Sequence, residues 1–462
     1  MTTECTTKQI KFDPVAGREL VGCFDADHIT SDGGLVLLHM VDRRFGLLRR
    51  FAKCFRDLRD PTLIRHPVEE LVRQRVLAIA CGHEDLVDHE ALRNDPLLAA
   101  VVGKAEPAKE RLASPSTLNR LELTPADATA GARYRKVVYQ ADEIADFFVD
   151  AFLDAHRRPP EELTLDLDST DDPIHGTQEG RFFHGYYRNY CYLPLYIFAG
   201  DFLLCSKLRT ADKDGAAGSV EEVQRIVARI RERWPKVRLV VRADSGFARD
   251  ELMTWCEANR VDYVLGLSRN DRLVAMIAPQ LEDVRREAER TGQAVRSFWE
   301  LRYRTLDSWS CERRVVAKAE HLGDKSNPRF VVTSFSPLEH QARSLYEDLY
   351  CARGDMENRI KEQQLYLFAD RTSAHTMRAN QLRLWFASVA YTLINLLRHF
   401  GLRGTELERA QSGTIRTKLF KVGALVRVSV RRVVLSLSAA SPVRELFGRI
   451  AEALQTNLAP AA

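Results

Sequence analysis

Three acidic residues stand in settings where carboxylates do chemistry. The first setting is Leu163–Asp168, where Leu163, Leu165 and Leu167 alternate with Thr164, Asp166 and Asp168. That period of two predicts a half-buried strand whose polar face carries two neighbouring carboxylates. Like charges so close repel, and a divalent cation would relieve the repulsion, because hard cations prefer oxygen ligands. The second is Asp244, delivered by the apolar run Val237–Ala243 and followed by Ser245 and Gly246. Taken alone, Asp244 reads as ordinary turn chemistry, although ligands of α/β folds do gather at this edge of a strand. The third is Glu357. Tyr346, Tyr350, Arg353, Glu357 and Ile360 recur every three or four residues and share one helix face. Taken alone, that face reads as an exposed helix laced by pairs such as Arg353 with Glu357. Together the three suit a pair of Mg²⁺ ions about 4 Å apart, one activating a water or hydroxyl and the other stabilising the leaving oxygen at phosphorus.

The elements that must position them follow from periodicity. Residues up to about 30 read as a loose arm with a short strand, Leu20–Phe24. Thr30-Ser31-Asp32-Gly33-Gly34 is a turn that caps a helix through Leu35, Leu38 and Val41. Helical spacing then dominates to about Asp154, through Val68–Ala80, Glu84–Leu92, Ser114–Glu122 and Gln140–Ala155. Arg157-Arg158-Pro159-Pro160 marks a boundary. Beyond it, apolar strands Tyr190–Ala199 and Phe202–Arg209 flank a Gly200-Asp201 turn. Helix Val220–Trp234, strand Val237–Ala243, helix Asp250–Asn259 and strand Asp262–Leu267 come next. The β-β-β-α-β-α-β order predicts a mixed sheet flanked by helices. Ser268–Pro328 reads as an insertion containing two strands with polar faces, Ser297–Arg304 and Glu312–Ala319. Phe330–Thr333 returns to the sheet, and His340–Leu367 is a single long helix. From about Ala374 a buried helix leads into a basic segment with strand character.

Composition narrows the classes. The chain has 462 residues, 45% hydrophobic and 29% charged, which predicts two or three soluble domains. Its nine Cys show no paired metal spacing and fit free thiols in a reducing cytoplasm. The N-terminus lacks the apolar core of a signal peptide. The apolar run Leu384–Leu397 is too short to span a bilayer and contains Ser388, Thr392 and Asn395. His83-Glu84 is not a zinc-protease motif, because the next His is His89, and Gly103-Lys104 lacks the rest of a P-loop. His175 and His184 read as loop or core residues near the first acidic strand. A net charge of +4 says little about a nucleic-acid partner, so distribution matters more. Arg416, Lys418, Lys421, Arg427, Arg431 and Arg432 lie between Gly413 and Val433 with no Asp or Glu among them. That stretch is either a phosphate contact or a solvated basic face.

Asp168-Ser169-Thr170, Asp244-Ser245-Gly246-Phe247 and Tyr350-x2-Arg353-x3-Glu357 together resemble the acidic triad of DDE transposases of bacterial insertion sequences. The phrases FHGYYRNYCYLPLYIF, Phe183–Phe198, and IRTKLFKVGALVRVSVRRV, Ile415–Val433, narrow the resemblance to the insertion-sequence family numbered thirteen-eighty. It covers nearly the whole chain. The resemblance implies a multidomain α/β protein. Residues 1–158 would be a mainly helical, DNA-end-binding domain. Residues 159–373 would be an RNase H-like catalytic domain with a β-rich insertion at about 268–328. Residues 374–462 would add a helix and a basic DNA-contacting segment. It implies that Asp168, Asp244 and Glu357 are catalytic and bind two Mg²⁺, with Mn²⁺ as a substitute, while Asp166 stands beside the ligands. Tyr350 and Arg353 would contact DNA phosphate. Related transposases carry a Lys seven residues after the Glu; here that position is Gln364, and Lys361 is the candidate replacement. Arg416, Lys418 and Lys421 would contact DNA. Ser116, Thr117 and Arg120 resemble the reader of a helix-turn-helix. The implied partners are terminal inverted repeats, target DNA and a second copy of the chain, in the bacterial cytoplasm on the nucleoid. The implied activity is cut-and-paste transposition. The rival readings are a catalytically silent DNA-binding regulator and an RNase H-like nuclease without strand transfer.

Overall fold

Leu165, Leu167, Leu239, Val241 and Ala243 are buried without exception, as strands covered on both faces require. They belong to a nine-stranded mixed sheet in a computed structural model that describes residues 9–24, 26–107, 109–322 and 325–456. The start of the expected N-terminal arm lies outside the described residues. In chain order the strands are β1 (Glu162–Ser169), β2 (Leu195–Ala199), β3 (Phe202–Lys207), β4 (Arg238–Ala243), β5 (Asp262–Leu267), β6 (Val295–Tyr303), β7 (Arg313–Leu322), β8 (Lys325–Ser326) and β9 (Arg329–Thr333). They lie in the order β3-β2-β1-β4-β5-β9-β7-β6, with β8 on β7. β1, β4 and β5 are parallel; the remaining pairings are antiparallel. The expected mixed sheet flanked by helices is therefore present.

Among the helices are α1 (Val68–Ala80), α2 (Pro115–Glu122), α3 (Ala141–Ala155), α4 (Ser219–Arg233), α5 (Asp250–Ala258), α6 (Gly354–Leu367) and α7 (Met377–Leu397). One face of the sheet joins the main apolar core with Val223, Ile226 and Ile230 of α4 and Leu252 and Met253 of α5. On the other face Val240, Val264, Val316 and Val331 pack under Leu345 and Tyr346. α3 and α7 pack on β3, and α7 also packs on α1. One continuous apolar core thus runs through the expected boundaries near 158 and 374, so the three expected domains are regions sharing a core. The chain ends also meet. Ala424–Val428 pairs with Ile29–Thr30, and Gly33 and Gly34 donate to the carbonyls of Val422 and Phe420. A Cβ on Gly34 would lie 1.8 Å from the Leu419 carbonyl oxygen, so only glycine permits this approach. Among the described residues no helix is long and apolar enough to cross a membrane.

Two expectations need correction. The segment expected as a separate β-rich insertion extends the same sheet, because β7 pairs with both β9 and β6. The charged positions of its polar strand faces are paired in place. Arg313 bridges Asp250 and Glu257, Arg314 meets Glu300, and Lys318 meets Glu320. The expected single long helix is also broken. One α-turn at Ala342–Ser344 widens into a π-helix over Leu345–Tyr350, tightens to a 3-10 turn over Cys351–Arg353, and becomes α6 at Gly354. π-Segments inside helices often mark functional positions, and this one leads directly to the third acidic residue.

α6 is anchored from its buried side. Glu362 accepts from the backbone N–H and hydroxyl of Ser412, each at 2.6 Å, and from the buried guanidinium of Arg398. Breaking a buried ion pair from one side costs about 3–5 kcal/mol, since the remaining charge has no partner. Glu362→Ala should therefore lower unfolding free energy by roughly that amount in chemical denaturation. A midpoint unchanged from wild type would show that α6 is held otherwise.

Candidate active site

The register of two parallel strands builds the site. Asp166 opposes Arg242 and Leu167 opposes Ala243, so Asp168 and Asp244 follow side by side at the C-terminal ends of β1 and β4. Neighbouring strands run about 4.8 Å apart, which sets the scale of their separation. Asp166 is not part of this open edge. Arg242 Nε and Nη2 donate to its two oxygens at 2.5 and 2.8 Å, and both side chains are buried. Arg242 Nη1 also donates to the Leu349 carbonyl at 2.6 Å, tying the π-helix to the sheet.

Asp244 Oδ1 accepts from the Gly246 N–H at 2.8 Å, so the turn role read from sequence is real. Its Oδ2 has no hydrogen bond or ion pair among the described residues and remains free for other work. Glu357 does pair with Arg353 on its own helix, at 2.9 Å from Nη2 to Oε1. Arg353 Nη1 also reaches Asp168 Oδ2 at 3.5 Å. One guanidinium thus lies between two of the three expected acids. Tyr350 completes the group. A Cβ on Gly266 would stand 2.5 Å from the Tyr350 hydroxyl and 2.9 Å from the Ser245 nitrogen, so glycine makes the room that the tyrosine uses beside Asp244.

Burial pushes the Asp168 carboxyl up to about 6, and the charges of Asp244 and Glu357 push the same way. Arg353 and the Ser169 N–H oppose them. Among the described residues no three His, Cys, Asp or Glu side chains stand close enough together to hold an ion as they are. The donor chemistry nevertheless fits a hard divalent cation. Asp168, Asp244 and Glu357 offer oxygen donors, burial and then the charges of the other two acids raise Asp168, and the cation present is the Arg353 guanidinium.

The other expected contacts divide. Gln364 donates to Asp172 Oδ1 at 3.2 Å and to the Asp171 carbonyl at 3.3 Å, so it supports the loop after β1. Lys361 is exposed. Arg416 is corrected: its guanidinium donates to the carbonyls of Ala80, Ile79 and Tyr366, and it packs over Phe368. Lys421 is exposed and meets Asp32 Oδ1 at 2.7 Å and His83 Nε2 at 3.2 Å. Lys418 remains exposed. α2 is not the second helix of a helix-turn-helix. Residues 103–114 separate it from the preceding helix, Pro96–Val102, where that motif needs a tight turn. Ser116 and Arg120 are exposed and Thr117 half-buried; Thr117 and Arg120 line a cavity of about 240 Å³ with Arg59, Asp60, Arg133, Arg135 and Lys136. Arg120 and Arg133 both stack on Tyr134, at 4.5 and 5.1 Å. Sequence reasoning missed Arg133, Arg135 and Lys136, although the run RYRK was in view. It also missed Arg242, whose signal was its register opposite Asp166.

The Asp168 carboxyl, raised from an ordinary 3.8 to about 6, binds its proton more tightly in the folded state than in the unfolded one. The stability this contributes is fully present below the unfolded value and is lost as pH rises through about 6. Asp168→Asn should flatten this part of the profile and stabilise metal-free protein by roughly 1–3 kcal/mol near neutral pH. Denaturant midpoints across this pH range in EDTA would test it; a variant less stable than wild type at neutral pH would contradict it.

A solved cryo-EM structure, a piggyBac transposase synaptic complex with hairpin DNA, is similar at 10% identity and a TM-score of 0.42, over 94% of this chain and 83% of that one. A comparison with curated proteins finds no match. The family model described as Transposase DDE domain group 1 matches residues 12–459. With nearly the whole chain matched, this protein belongs to the Transposase DDE domain group 1 family.

Proposed function

We propose that the protein is a cut-and-paste transposase of a bacterial insertion sequence, of the family numbered thirteen-eighty. The observation that carries this reading is the placement of Asp168 and Asp244 at the ends of two adjacent parallel strands, with Arg353 between Asp168 and Glu357. Strands of a mixed sheet that deliver acids to one edge also support the RNase H-like reading. Residues 1–158 serve end binding, 159–373 catalysis, and 374–462 support and further DNA contact.

Asp168, Asp244 and Glu357 would hold Mg²⁺, or Mn²⁺ in its place. When bound, the metal supplies Lewis-acid polarisation at phosphorus and a more acidic nucleophile. The chain's own residues do the rest. Arg353 exchanges its carboxylates for the phosphate and neutralises it, and Tyr350 donates its hydroxyl to a phosphate oxygen. Water attacks phosphorus at each terminal inverted repeat and the bond to the 3′ oxygen breaks, leaving a 3′-hydroxyl. That hydroxyl then attacks a phosphate of target DNA, and the target strand's own 3′ oxygen leaves. Arg120, Ser116 and Thr117, with the neighbouring Arg133, Arg135 and Lys136, offer a basic surface for the ends. Lys418, Arg427, Arg431 and Arg432, all exposed, offer a second. Lys361, exposed one turn beyond Glu357, takes the phosphate contact that Gln364 does not. Two copies of the chain pair the two ends.

Linear DNA carrying the inverted repeats that flank the coding sequence, incubated with Mg²⁺ and a target plasmid, tests the reading. Joined products are expected. Binding without cutting would favour a silent regulator, and cutting without joining a nuclease. Asp244→Ala or Glu357→Ala should abolish cutting while end binding persists, and retained cutting by either would overturn the triad. Asp166→Asn should be milder in cutting than Asp168→Asn, because its partner is Arg242.

A further inference from the structure

The hairpin that follows the first catalytic strand carries aromatic side chains that the reaction above does not use. Phe182–His184 and Asn189–Tyr192 pair across a turn, with Phe183 opposite Tyr190. Phe182 is 43% exposed, Phe183 56%, Tyr186 84% and Tyr190 42%. Four large rings open to solvent on so short an element call for an explanation. Their arrangement is ordered. Arg181 stacks on Tyr190 at 3.7 Å, and Phe183 meets the same ring edge-on at 5.5 Å. Tyr186, at the turn, stands 5.0 Å from Tyr187, also edge-on.

The hairpin is fastened to the catalytic edge. The Tyr187 hydroxyl donates to the Ser169 carbonyl at 3.3 Å, one residue past Asp168. Asn189 Nδ2 donates to Asp171 Oδ2 at 2.9 Å, and Tyr192 pairs with Asp172. The charges of Asp168 and Asp244 both act on the Tyr187 hydroxyl. The rings are therefore held within a few residues of the place where a phosphate would react. The charges on the hairpin are Arg181 and Arg188, both exposed, and neither forms an ion pair among the described residues.

An aromatic face flanked by unpaired cations and joined to a phosphate-handling edge matches one occupant in shape and charge. We propose that Phe183, Tyr186 and Tyr190 form a stacking platform for an unpaired nucleotide next to the scissile phosphate, with Arg181 and Arg188 meeting its flanking phosphates. A base inside a duplex has both faces covered by its neighbours, whereas an unpaired base has a free face that any aromatic ring accepts. Stacking of this kind is tolerant of sequence, so the platform selects unpaired structure and not a particular base. An apolar protein partner would not require the two arginines, and a duplex groove would not require the rings.

This inference rests on the DNA-cutting reading, and its test separates the two. Full-length protein in EDTA is titrated against two fluorescein-labelled DNAs, a blunt duplex and the same duplex with a short unpaired thymidine tail, and anisotropy is read. The tail should tighten binding by about tenfold in wild type and in Tyr186→Phe, which keeps the ring. The gain should vanish in Phe183→Ala and Tyr186→Ala, with blunt-duplex affinity unchanged. A gain that persists in the double alanine variant overturns the platform, as does its absence in wild type. Equal weakening on both DNAs would make the hairpin a duplex contact, and a change in oligomeric state on sizing would make it a contact between copies; either result overturns it. Wild-type protein that binds neither DNA overturns the DNA-cutting reading as well.

Discussion

Asp166 and Arg242 face each other across β1 and β4 in a two-pronged buried pair, and the placement of the acids depends on that contact. Side chains on a strand alternate between faces, so a slip of one residue would send Asp168 or Asp244 to the wrong side of the sheet. The alternation of Leu165 and Leu167 with Asp166 and Asp168 already opposes such a slip, because it would turn the carboxylates into the core. The ion pair opposes it further, because a misaligned Arg242 would leave two buried charges without partners. Its third bond, to the Leu349 carbonyl, carries the same constraint onto the segment that delivers Tyr350, Arg353 and Glu357. Register, helix position and acid placement are one linked arrangement.

Arg353 solves a related problem. Burial at this edge raises Asp168 to about 6, and the charges of Asp244 and Glu357 add to the rise. A guanidinium between Asp168 and Glu357 offsets part of it with two charge-assisted contacts. Its reach to Asp168 is long at 3.5 Å, so the hold is weak on that side. A cation that binds the carboxylates more strongly can displace it without breaking the fold, because Glu362 and Arg398 anchor α6 from its other side. The helix is fixed where it meets the core and adjustable where it meets the acids.

Much of this was legible in the sequence. The alternation of Leu163, Leu165 and Leu167 marked β1, and Asp-Ser-Gly marked the end of β4. The spacing of Tyr350, Arg353 and Glu357 put all three on one helix face. Misread features share a cause: local pattern does not report what stands across space. Arg313 and Arg314 read as members of polar strand faces because their partners, Asp250, Glu257 and Glu300, lie on other elements. The helix through Leu345–Tyr350 looked regular because a π-segment keeps good helix formers and alters only the pitch. Arg242 was read as one more residue of an apolar strand because its value lies in its neighbour.

The basic tail carries the same lesson into function. Charge density alone made Arg416, Lys418 and Lys421 equivalent, yet two of them hold the ends of the chain together. Arg416 is pinned by backbone carbonyls of α1 and of α6, and Lys421 by Asp32 in the turn that Gly33 and Gly34 dock onto residues 419–422. Releasing either for phosphate would cost the fold a buried or half-buried contact, whereas Lys418, Arg427, Arg431 and Arg432 can take a phosphate with no such loss. A basic residue's availability for an anion is set by what it already binds, and by that criterion the available cations of this segment are Lys418 and those of the hairpin of residues 424–437.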